Sequence, residues 1–214
     1  IPAFGSVNFF LKLYNAKHYT TLPRDYKMTV AGVSGSWEEG HGLDMDDYKH
    51  VTNDKTGSNW VRATATDAAA TGKVTVLNEG WIEDNDTITL IATDGTQVVA
   101  TAHATNNTAA SATTAVTFSH NGASTSAQAT LIATAINYSS YFSATADGAD
   151  VNITQSTSGY GGNTTITCVD GGGAGPWFSK TNFTGGSGNW STQGAEFYTD
   201  NSSSFTHSFP VGDE

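Results

Sequence analysis

The chain of 214 residues is 14% charged, with nine Lys and Arg against twenty Asp and Glu and a formal net charge of −11. This balance repels a phosphate backbone and excludes general nucleic-acid binding. No apolar run reaches the roughly 18 residues of a membrane span, and 11% aromatic residues argue against a disordered chain. A single cysteine, Cys168, rules out an internal disulfide and a zinc site of finger type. Cys168 lies in a strand-like run with no His beside it, so it reads as a small, half-buried apolar residue.

Period-two alternation dominates the chain in order. Val7, Phe9, Leu11 and Leu13 share one face of a first strand, and 27–33 forms a second. From 34 to 59 the chain is rich in glycine and acid. It reads as a long structured loop anchored by Trp37, Leu43 and Tyr48, with a return to strand at 58–63. An Ala/Thr linker, 64–71, precedes a change of style. Beyond it, strands are predicted around Val74 and Val76, at 87–92 and at 96–102. Asp94-Gly95 makes the tight turn between the last two. One helix is predicted, with Ser124 as its cap and Ala127, Leu131, Ala135 and Tyr138 at helical spacing, flanked by Ile132 and Ile136. Strands resume at 142–146, 150–155 and 163–167, and the glycine-rich run 171–176 is a loop. At 187 the aromatic-bearing style of the first 63 residues returns with Trp190, Phe197, Tyr198, Phe205 and Phe209.

The expected architecture is therefore mostly β. A discontinuous, jelly-roll-like β-sandwich (1–71 and 187–214) carries an inserted small β-rich module with one helix (72–186). The start at Ile1 and the stop at Glu214 suggest a piece of a longer polypeptide, with the outer sandwich cut short.

Catalytic spacings are missing. Glu38 and Glu39 with Asp44, Asp46 and Asp47 could supply a carboxylate pair, but their simpler role is to face solvent or bond loop amides. The six histidines show no metalloprotease spacing, and no nucleophile elbow, dinucleotide fingerprint or phosphate loop is present. Asp44, Asp46 and Asp47 are the candidate calcium ligands, being loop oxygens without EF-hand spacing. The run Glu83-Asp84-Asn85-Asp86 is better explained as a self-bonding turn. No cofactor is expected otherwise. Trp81, Tyr160 and Trp177 flank glycine-rich turns and are the aromatics expected at the surface, either stacking on sugar or filling an interface.

Two resemblances add to this reading. The strand Phe9-Phe10-Leu11-Lys12-Leu13-Tyr14, the stretch Val33-Ser34-Gly35-Ser36-Trp37-Glu38-Glu39-Gly40 with Gly42-Leu43-Asp44-Met45, and Gly57-Ser58-Asn59-Trp60-Val61 resemble a DNRLRE-type β-sandwich. Versions of it occur in virion proteins of marine tailed phages. Residues Trp190-Ser191-Thr192-Gln193-Gly194 fit its resumption. The segments Asp86-Thr87-Ile88-Thr89-Leu90, Asp94-Gly95-Thr96, Ala129 to Asn137 and Gly161-Gly162-Asn163-Thr164-Thr165-Ile166 resemble a β-repeat module of phage and bacterial surface proteins. The resemblances imply a non-enzymatic structural component of a phage particle, on the surface of its tail or head. Its partners would be other virion subunits, with homo-oligomeric contacts. The alternative is a carbohydrate-binding module, for viral adhesion or on a bacterial cell surface, with a host glycan as ligand.

Overall fold

The computed structural model describes residues 25–31, 33, 35–38, 57–58, 61–64, 66–104, 114–172, 176–191 and 204–210. The chain divides into two compact units, Ile1–Ala31 with Asp200–Glu214, and Gly32–Thr199. In the first, β1 (Asp25–Ala31) pairs antiparallel with β10 (Ser204–Pro210), so segments about 180 residues apart in sequence share one ladder. The strand predicted at 27–33 is β1, shifted by two residues. The strand predicted at 7–14 lies outside the described residues.

Among its described residues the second unit is mostly β, as expected, with two four-stranded sheets and one α-helix. Its strands are β2 (Thr71–Val76), β3 (Thr87–Ile91), β4 (Gln97–His103), β5 (Ala115–Ser119), β6 (Phe142–Asp147), β7 (Asp150–Gln155), β8 (Thr167–Val169) and β9 (Phe178–Thr184). One sheet has the order β6-β7-β2-β9 and is antiparallel throughout. The other has the order β5-β4-β3-β8, with β4 and β5 parallel. Alternation supplies the core directly. Val74 and Val76, Ile88 and Leu90, Val98 and Ala100, Val116 and Phe118, and Val151 and Ile153 all point inward and are buried.

Helix α1 (Thr125–Ile136) packs on β4 and β5 of one sheet and on β2, β6 and β7 of the other. Ser124 caps it, its hydroxyl accepting from Ala127 N at 3.2 Å. The buried face is Gln128, Ala129, Ile132, Ala133, Ala135 and Ile136, so the predicted Ala135, Ile132 and Ile136 face inward while Ala127 and Leu131 are only half-buried. The helix ends at Ile136, which leaves Tyr138 beyond it and 44% exposed. Gln128 is tolerated inside because its amide is satisfied: Oε1 accepts from Gly122 N and Nε2 donates to Ser119 O.

β5 alternates too, although no strand is predicted there. β9 escapes alternation. β9 contains a bulge opposite Thr71 to Lys73 that inserts one residue. Phe178 and Phe183, five apart, therefore both face inward, and Phe183 stacks on Phe142 at 5.6 Å. The strand predicted at 163–167 is displaced to β8. Residues 160–162 form a 3-10 turn instead. Of the predicted return to strand at 58–63, the described residues show an isolated bridge, Arg62 to Asn189.

Candidate surface-recognition site

β2 and β9 are neighbours, with Thr71 opposite Thr184, so the chain enters and leaves the two-sheet body side by side. We call this the near end. The connections 77–86 and 170–177 cross from sheet to sheet at the opposite, far end.

The near end is fastened by polar groups. Gln155 is 2% exposed, and its Nε2 donates to Ile91 O at 2.9 Å and to Gly162 O at 3.2 Å. Asn163 treats the backbone of Gly186 as a strand partner: Nδ2 donates to its carbonyl at 3.0 Å and Oδ1 accepts from its N–H at 2.8 Å. A side chain on Gly161 would stand 2.6 Å from Thr93 O, and one on Gly186 would stand 2.5 Å from Gly159 O. The Gly-Gly-Asn sequence is thus a clamp on the exit of β9. Tyr160 sits in the same clamp. It is half-buried, its ring lies 6.3 Å from that of Trp190, and its hydroxyl accepts from Ser36 N at 2.9 Å. Trp190 and Ala63 form a small core of their own here. Arg62 is 2% exposed, and its Nη2 lies 2.7 Å from Asp67 Oδ1.

The far end has a different character. Its two connections are joined by Leu77 N donating to Trp177 O at 2.7 Å and by Gly171 N donating to Asp86 Oδ1 at 2.7 Å. Asp86 is fully buried, and its Oδ2 accepts from Glu83 N at 2.9 Å. The acidic run 83–86 is therefore a self-bonded turn, with Asn85 in the left-handed region at φ 76°. Beside these fixed backbones, Leu77, Trp81 and Val169 are 50%, 53% and 51% exposed. An open groove of about 440 Å3 runs along Cys168, Val169, Asp170, Pro176, Trp177 and Phe178. Burial pushes the Cys168 thiol up to about 11 against the opposing charge of Lys180, so it stays protonated at neutral pH.

The predicted site residues separate accordingly. Trp81 is exposed at the far end. Trp177 reaches the same end but is only 3% exposed, contrary to the expected surface position. Its glycine-rich neighbours suggested exposure, yet it directly precedes β9 and its ring enters the main core. Tyr160 lies at the near end and binds the chain's own segments. Asp44, Asp46 and Asp47 lie outside the described residues, as do Leu43 and Tyr48. Trp37, expected to anchor its loop, is 61% exposed. Its segment is held by backbone instead, through Ser36 N to Tyr160 and Glu38 N to Ser58 Oγ at 2.8 Å. Leu77 and Val169 were not anticipated. Leu77 follows the inward Val74 and Val76 and so must turn outward, which was a legible signal.

Among the described residues no three His, Cys, Asp or Glu side chains gather as a metal group. No described helix is long and apolar enough to cross a membrane. No family model matches the chain, and neither a curated protein nor a solved structure matches it.

Proposed function

We propose that the chain is a non-enzymatic structural component of a phage particle, exposed on tail or head and acting through contacts between subunits. The particle context rests on the residues that resemble virion sandwich and repeat modules. The observation that carries the contact role is the far end, where Leu77, Trp81 and Val169 are each about half exposed on tightly bonded backbone. Apolar side chains held out on a rigid frame mark a contact surface, because their burial against a partner gains free energy without the added cost of ordering the backbone.

Antibodies raised against the purified chain and applied to intact particles from the same source test this reading. Immunogold label on the tail or head surface is the expected result. Particles that carry no label, or a purified chain that releases reducing ends from a polysaccharide, contradict it. A carbohydrate-binding role is the second reading, favoured by the exposed Trp81 ring beside a turn.

A further inference from the structure

A second groove, of about 400 Å3, opens at the near end. Ser36, Thr64, Tyr160, Asn163, Thr184 and Ser187 line it. None of these side chains is charged. Arg62, two residues from Thr64, is buried and committed to Asp67.

The lining is already held in place. Thr64 Oγ1 accepts from Gly188 N at 2.9 Å and donates to Thr66 O at 3.0 Å. Ser187 Oγ donates to Thr66 O at 2.9 Å, and the Asn163 amide is fixed on Gly186. The Tyr160 hydroxyl accepts from Ser36 N and keeps its own proton to donate. The Ser36 and Thr184 side chains are exposed and have no hydrogen-bond partner among the described residues. Gly185, between Thr184 and Gly186, has φ +81° and open space where a side chain would stand, so a ligand can approach its backbone.

A half-buried aromatic ring, spare hydroxyls and accessible backbone suit a ligand that is apolar on one face and hydroxylated at its rim. None of the described lining side chains carries a charge to pair with an ion, and a net charge of −11 repels anions at a distance. We infer that this groove is a binding site for a neutral saccharide, seated on Tyr160 and hydrogen-bonded by Thr184 and Ser36. The inference rests neither on the phage context nor on Trp81, which lies at the other end of the body.

The test uses the whole chain against short neutral gluco-, manno- and galacto-oligosaccharides, and against uronate, sialylated and sulfated glycans, by array and then by calorimetric titration. Saturable binding to at least one neutral series is expected. It should weaken by about tenfold or more in Thr184→Trp, which fills the groove from an exposed position, remain in Thr184→Ser and be unchanged in Trp81→Ala. Ser36→Trp, on another exposed segment, repeats the block if Thr184→Trp fails to fold. The inference is overturned if no neutral series binds, if anionic glycans bind equally well, or if Trp81→Ala abolishes binding while both groove-filling variants retain it.

Discussion

The two ends of the sandwich meet the same requirement with different chemistry. At each end chain must cross between sheets, and the freed backbone groups must find partners. The near end meets this with side-chain amides, Gln155 and Asn163, and with glycines packed against carbonyl oxygens. The far end uses one buried carboxylate, Asp86, and a backbone pairing of Leu77 with Trp177. The far end leaves Leu77, Trp81 and Val169 about half exposed on its crossing loops and strand ends, while Trp37 and Tyr138 are the large exposed side chains elsewhere among the described residues of this unit, with Val33 less so. The difference teaches that exposed apolar area here is not a failure of packing. The frame beneath it is as well bonded as the clamp at the opposite end.

Gly186→Ala is the most forceful way to break the comparison. Its new methyl would meet Gly159 O at 2.5 Å and Ala70 Cβ at 3.1 Å, neither of which is the end of a flexible side chain. A loss of about 1–3 kcal/mol is expected, read as a fall of roughly 2–4 °C in Tm for each kcal/mol. A far-end double variant, Leu77→Ser with Trp81→Ser, should by contrast change stability by no more than about 0.5 kcal/mol. The smallest effect concerns neither clamp. Lys73 and Thr75 hold the Asp150 carboxyl below its usual range, with Lys73 Nζ at 2.8 Å and Thr75 Oγ1 at 2.5 Å. A carboxyl depressed in the folded state contributes stability above its unfolded value, and that contribution is lost as pH falls through the folded one. The gap in Tm between parent and Asp150→Asn should therefore be small near neutrality and vanish on acidification, because the pair is exposed and screened.

Much of the fold was legible because it obeys local rules. Val74, Val76, Ile88, Leu90, Val151 and Ile153 alternate, Asp94-Gly95 turns, and Ser124 caps. What escaped did so for physical reasons. The bulge in β9 puts Phe178 and Phe183 on one face at a spacing that alternation forbids. Gln128, a polar residue, occupies the core side of α1, and its partners Ser119 and Gly122 lie outside the helix. The site was harder to see. Trp81 was found from its turn, but the same reasoning placed Trp177 at the surface, since a loop's composition does not reveal where the next strand begins. The Gly-Gly-Asn run was conspicuous in sequence, yet its partner Gly186 lies 23 residues away from Asn163.

The central claim is that the near end is fastened for stability while the far end is left open for contact with other copies. Sedimentation velocity of the parent chain and the Leu77→Ser, Trp81→Ser variant at equal concentration tests it most directly. The account predicts that the parent associates and that the variant, with an unchanged Tm, sediments as a monomer. A parent that remains monomeric, or a variant that associates as strongly as the parent, would contradict it.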